Sequence, residues 1–239
     1  MRRLGLIGGM SWESTAIYYR QLNTLIRNRL GGLHSADLLL HSLDFAAVAA
    51  RQVAGDWEGA ATILADAAEG LVRAGAEGVL ICTNTMHLVV PQVAARIATA
   101  SPTARLIDMI DETARAIHAK GLRRPLLLAT RYTMEHGFYA QQMRRHGIEI
   151  VTPGLAARTI LHDMIFDELC QGIVRGESRD RALHIIAEGT EAGADGVILG
   201  CTELGLLLDP ASLPCPAFDS TAIHTEAAIA FALTPREAA

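Results

Sequence analysis

The chain has 239 residues, half of them hydrophobic and a fifth charged, with a net charge of −5. That is enough to bury a substantial core, as one large domain or two small ones. The scarcity of aromatics and the acidic balance supply neither a basic stripe nor a stacking platform, so no nucleic-acid partner is expected. The opening Met1-Arg-Arg-Leu-Gly-Leu-Ile-Gly-Gly is too short an apolar run for a signal peptide, and no stretch approaches bilayer-spanning length. A cytoplasmic protein with no membrane partner is the expectation.

Short runs of Val, Ile and Leu alternate with longer segments of helical period, the pattern of parallel strands covered by helices on both faces. A strand is predicted over 3–8, a helix over 13–30, strands over 37–43 and 78–82 separated by a helix over 57–74, then a strand at 105–107 and a helix over 111–120. A second series follows, with strands at 125–130 and 148–152 around a helix over 135–146, helices over 159–174 and 179–193, strands at 196–199 and 217–219, and a last helix over 221–233. The expected fold is α/β, two similar lobes that are each a mostly parallel sheet flanked by helices. The lobes are assigned as 1–104 plus 213–239 and 105–212, with the active site between them.

An internal repeat supports the two-lobe reading. Ala74-Gly-Ala-Glu-Gly-Val-Leu-Ile81 runs into Cys82-Thr83, and Ala192-Gly-Ala-Asp-Gly-Val-Ile-Leu199 runs, one glycine later, into Cys201-Thr202. Leu4-Gly-Leu-Ile-Gly-Gly likewise answers Leu126-Leu-Leu-Ala-Thr, and Leu106-Ile-Asp answers Ala217-Phe-Asp. Open parallel sheets bind ligands at the carboxyl ends of their strands, so a cleft between two such lobes would collect both cysteines.

The turn Ile81-Cys82-Thr83-Asn84-Thr85-Met86-His87 has two readings. In one, Thr83, Asn84 or Thr85 caps a helix and Cys82 is a small buried hydrophobe. In the other, the strand-end amides hold a carboxylate beside a reactive thiol. The echo at Gly200-Cys201-Thr202-Glu203 favours the second. Two thiols facing one substrate suit removal of a proton from one face of a carbon and its return on the other, one as thiolate and one as thiol. The developing negative charge needs fixed donors, for which Thr83, Asn84, Thr85, Thr130 and Thr202 are available. The Cys and His spacings form no ligand set, so no metal is implied. Lys120, the only lysine, stands before Gly121 at a predicted helix end. This argues against pyridoxal phosphate and Schiff-base chemistry, which need a lysine inside the site, and no cofactor is expected.

Gly8-Gly9-Met10-Ser11-Trp12-Glu13-Ser14-Thr15, Cys82-Thr-Asn-Thr85-Met-His87, Ala129-Thr130-Arg-Tyr-Thr133-Met and Gly200-Cys201-Thr202-Glu203 together resemble the aspartate/glutamate racemase family, the cofactor-independent branch of amino-acid racemases. The resemblance implies an isomerase acting on a small amino acid, an interdomain site with Cys82 and Cys201 as acid and base, and a homodimer. It also implies substrate contacts from Met10, Ser11, Gln52, Thr83, Asn84, Thr85, Thr130, Thr202 and Glu203. Members devoted to aspartate anchor the second carboxylate with an arginine and a lysine. Here the corresponding regions read Ala50-Arg51-Gln52, with Gln52 facing inward, and Glu168-Leu-Cys170-Gln171-Gly172, so a broader or different amino acid is implied. The alternatives are a related isomerase or decarboxylase, such as a maleate isomerase or hydantoin racemase, or a two-lobed amino-acid-binding protein without catalysis. Asp44, at the end of the second predicted strand, reads as a helix cap or an ammonium acceptor. Cys170 and Cys215 read as incidental.

Overall fold

The computed structural model describes residues 1–235; from 236 on, the segment assigned above to the first lobe lies outside the described residues. The chain forms two compact units, one made of Met1–Asp108 with the chain from His224 onward, the other of Met109–Ile223. In each, helices flank a wholly parallel sheet.

In the first unit, β1 (Leu4–Gly8) leads to α1 (Trp12–Leu30), β2 (Leu38–Ser42), α2 (Phe45–Ala54), α3 (Trp57–Arg73) and β3 (Gly78–Ile81). A single 3₁₀ turn, Thr85–Val89, precedes α4 (Val90–Ala100) and β4 (Arg105–Leu106). The sheet order is β2-β1-β3-β4, with Ile7 opposite Ile81. β1 and β3 are buried throughout, which is why they read as unbroken apolar runs rather than alternating ones. Leu64, Ala68 and Leu71 of α3 join Val93 and Ile97 of α4 in the core with Ile7, Val79 and Ile81.

The second unit contains α5 (Met109–Ala119), β5 (Leu126–Leu128), α6 (Arg131–Glu135), α7 (Phe138–Arg145), α8 (Leu155–Asp163), α9 (Gly176–Glu191), β6 (Val197–Leu199), α10 (Leu204–Leu207) and β7 (Ala217–Asp219). The sheet order is β5-β6-β7, and Leu128, Leu199 and Asp219 lie in register at its carboxyl end. The last helix, α11 (Ser220–Leu233), starts in this unit and ends in the first.

Four local expectations are corrected. Residues 148–152 run beside β5 through backbone bonds such as Leu127 N–H to Val151 C=O at 2.8 Å, but hold only an isolated bridge between Leu126 and Val151. Pro153 follows, and with no N–H it cannot extend the ladder. The helix expected over 135–146 is split into α6 and α7 by Gly137 at φ 76°. The helix expected over 159–174 becomes α8, a π-helical turn at Met164–Glu168 and a 3₁₀ turn at Leu169–Gln171, ending at Gly172 with φ 73°. The short helix α2 was not anticipated; its start is the Asp44 carboxylate, which accepts from the Ala46 N–H at 3.1 Å, so Asp44 is a cap.

Gly9 aligns the loop after β1. Its φ is 86°, and a Cβ there would lie 2.1 Å from the Leu43 carbonyl oxygen. Gly9→Ala is therefore expected to destabilise the protein by at least about 2 kcal/mol from strain and overpacking together. Urea unfolding measures this, and an unchanged midpoint would contradict the packing described.

Candidate active site

In the first unit the candidate residues collect at the carboxyl ends of β1 and β3. The Cys82 N–H donates to the Ile7 carbonyl at 3.0 Å, continuing the β1–β3 ladder by one residue, and the chain then turns away from the sheet. The Cys82 carbonyl accepts from Ser14 Oγ at 3.1 Å. Ser11 caps α1 by accepting from the Ser14 N–H, and its hydroxyl donates to Glu13 Oε2 at 3.0 Å. Thr15 Oγ1 accepts from the Gly9 N–H at 2.8 Å and donates to the Ser11 carbonyl at 3.0 Å, closing the loop that carries Met10 and Ser11. Gln52, on α2, is buried and its amide donates to Met86 Sδ at 3.1 Å, which fixes it against the 3₁₀ turn after Cys82. The neighbouring Arg51 is exposed and paired with Asp56. Asn84 stands at the start of that turn without a capping side-chain bond, and Asn84 and Thr85 are both buried.

In the second unit, Thr130 follows β5 and caps α6, accepting from the Thr133 N–H at 3.4 Å. The Gly200 N–H donates to the Leu128 carbonyl at 2.7 Å, so Cys201 emerges next to Thr130. A Cβ on Gly200 would lie 2.8 Å from Leu127 Cδ1 and 3.1 Å from both the Ala129 Cβ and the Leu128 carbonyl oxygen, so a larger residue would force its neighbours to shift. Cys201 Sγ donates to Glu203 Oε2 at 3.0 Å, and Glu203 is 3% exposed. Thr202 is buried beside it.

Both thiols hold their protons. Burial pushes the Cys82 thiol far above its ordinary value. Cys201 is raised first by burial and then by the negative charge of Glu203, against which a thiolate would be repelled. At the end of β7, burial raises Asp219 although its carboxylate accepts from the Thr221 and Ala222 N–H groups.

Several neighbours were not foreseen. Cys170, set aside above, brings its Sγ to 3.8 Å from Glu203 Oε1, so that one carboxylate takes a thiol on each oxygen. His224 is fully buried between the Ile107 carbonyl and the Tyr18 hydroxyl, both at 2.8 Å, and burial lowers its pKa to about 3. Only long-range placement creates these contacts, and no local spacing signals them. By contrast, Trp12 is exposed, and Arg131 lies over the Tyr132 ring. His162 packs against Tyr132 and Phe166, its pKa lowered by burial and then by Arg131.

A pair of strand-end Cys-Thr turns on parallel sheets is the arrangement to compare with known proteins. The model of the Asp/Glu/hydantoin racemase family matches residues 7–228. The chain belongs to this family. A crystal structure of a proposed Asp/Glu racemase from Yersinia pestis is 44% identical with a TM-score of 0.89, covering 98% of this chain and all of the other. An aspartate racemase homologue from Pyrococcus horikoshii is 33% identical, with a TM-score of 0.84 over 97% of this chain and 99% of its own. The aspartate racemase of Picrophilus torridus, 19% identical with a TM-score of 0.71 over 95% of each chain, shares the fold.

For this member of the racemase family the Glu203 contact yields a direct test. Removing the charge in Glu203→Gln relieves the repulsion on a Cys201 thiolate, so the pH midpoint for alkylation of Cys201, followed by peptide mass spectrometry, is expected to fall by about one to three units. A midpoint that stays or rises would contradict the assigned role of the carboxylate.

Proposed function

We propose that this chain is a cofactor-independent amino-acid racemase in which Cys82 and Cys201 exchange the α-proton of the substrate. The observation that carries the reading is the matched placement of a thiol directly after β3 in one unit and one glycine after β6 in the other, each followed by threonine. Membership of the Asp/Glu/hydantoin racemase family supports this reaction class. The thiols supply the chemistry: one, as thiolate, takes the proton as the α C–H bond breaks, while the other, as thiol, gives a proton to the opposite face of the same carbon. Inversion results, and the roles exchange in the reverse direction.

Burial serves this reaction. A thiol that holds its proton tightly becomes, once ionised, a stronger base, which narrows the gap to the very weakly acidic α-carbon. Glu203, 3.0 Å from Cys201 Sγ, is the group able to receive the thiol proton when Cys201 is to act as the base. Backbone amides and hydroxyls of Thr83, Asn84, Thr85, Thr130 and Thr202 are assigned to the substrate carboxylate, whose charge grows in the transition state. Met10, Ser11 and Gln52 are assigned to the rest of the substrate. With Gln52 buried and Arg51 exposed in its pair with Asp56, the residues on α2 offer a neutral amide rather than a guanidinium, and a neutral side chain is the preferred class. Lys120 is exposed just beyond α5, consistent with chemistry free of pyridoxal phosphate. The reading includes a homodimer, as the family resemblance implies, and the cytoplasmic location expected from the sequence.

Cys82→Ser and Cys201→Ser are each expected to lower racemisation by at least about a thousandfold, since a serine hydroxyl is a far poorer base at neutral pH. Each variant should nevertheless keep α-proton exchange with solvent for the enantiomer served by the remaining thiol. Racemisation at the parental rate in either variant would sink the two-thiol reading.

A further inference from the structure

The two carbonyls that follow the Cys82 sulfur along the chain are both held from the interior of the first unit. Ser14 Oγ donates to the Cys82 carbonyl at 3.1 Å, and His87 Nδ1 lies 2.9 Å from the Thr83 carbonyl. A carbonyl oxygen only accepts, so the proton of His87 is on Nδ1. The His87 ring is 2% exposed, and its centroid is 6.1 Å from that of His224 in an edge-on arrangement. His224 is itself fixed: its Nε2–H donates to the Ile107 carbonyl, which leaves Nδ1 to accept from the Tyr18 hydroxyl. Tyr18 and His224 are both 0% exposed, so the ring supporting His87 has no freedom to move away.

In a trans peptide the C=O and the following N–H point in opposite directions. Drawing the Cys82 carbonyl towards Ser14 therefore directs the Thr83 N–H the other way, and drawing the Thr83 carbonyl towards His87 does the same for the Asn84 N–H.

We propose that Ser14 and His87 are positioning residues which, by holding the Cys82 and Thr83 carbonyls, aim the Cys82 thiol at the substrate. This rests on the two-thiol reading of the site. Neither residue touches the reacting carbon; each acts through the backbone on which the thiol and amides are mounted. Small misplacements of reacting groups cost large factors in rate, so modest side-chain changes here have kinetic consequences out of proportion to their effect on folding.

The experiment uses the full chain and compares His87→Ala, His87→Asn, Ser14→Ala and Cys82→Ser. Racemisation is followed by polarimetry, and α-proton exchange of each enantiomer by proton NMR in deuterium oxide. Cys82→Ser identifies the enantiomer that depends on Cys82. His87→Ala and Ser14→Ala are expected to lower exchange of that enantiomer about tenfold or more, with less than a threefold change for its mirror image. In His87→Asn the amide nitrogen takes the place of Nδ1, and most of the activity should return. A merely structural role predicts instead that both enantiomers lose exchange in parallel and that asparagine restores nothing; that outcome overturns the proposal. Should His87→Ala not fold, Ser14→Ala, which removes one oxygen, carries the same comparison. Parental racemisation in Cys82→Ser would overturn the proposal together with the two-thiol reading. A Cys82-dependent enzyme that tolerates both His87→Ala and Ser14→Ala would overturn the proposal alone.

Discussion

A thiol buried at the end of a parallel strand keeps its proton, and the chemistry assigned to this protein follows from that. Cys82 is 1% exposed and Cys201 shares its surroundings with an almost fully buried carboxylate, so neither ionises at neutral pH in the resting protein. For most cysteine chemistry this would be a handicap, because nucleophilic cysteines rely on a lowered pKa. For abstraction of a proton from carbon it is an advantage, because the base must be strong when it acts. In the proposed reaction Glu203, which accepts from the Cys201 thiol at 3.0 Å, is the group assigned to meet both demands.

The folds of the two units explain how the same device occurs twice. Parallel strands send their carboxyl ends to one edge of the sheet, where the backbone leaves the ladder and the next side chains are free to face a ligand. β3 and β6 each end there, β3 handing the chain directly to cysteine and threonine and β6 doing so after one glycine. The surroundings then differ. Cys82 is held through backbone contacts with Ser14 and the Ile7 strand, and burial alone raises its thiol, whereas Cys201 is bonded to Glu203, which also meets Cys170. The two thiols therefore occupy chemically distinct surroundings on similar scaffolds.

Much of this was legible in the sequence because it is local. Buried parallel strands are continuous apolar runs, and the repeated Ala-Gly-Ala turns and Cys-Thr pairs marked where β3 and β6 begin and end. Asp44 showed its capping role by type and place, though the ten-residue helix after it was too short and alanine-rich to announce itself. The π-helical turn at Met164–Glu168 was not legible, since a turn that takes in an extra residue shifts the helical phase of everything after it without changing the hydrophobic pattern before it. That shifted segment carries Cys170 to Glu203, a contact joining residues 33 positions apart. The Tyr18–His224 bond, across 206 positions, is likewise a product of the fold and not of any motif. Ser14 could have been singled out only as a helix-start residue, which is also true, because Ser11 bonds its N–H.

The most direct test of the account is proton NMR in deuterium oxide of the purified protein with a panel of single-enantiomer amino acids and no added pyridoxal phosphate. The account predicts loss of the α-proton signal with formation of the opposite enantiomer, faster for amino acids with neutral side chains than for aspartate. Binding of panel members without any exchange at the α-carbon would contradict it and mark the chain as a binding protein built on a racemase fold.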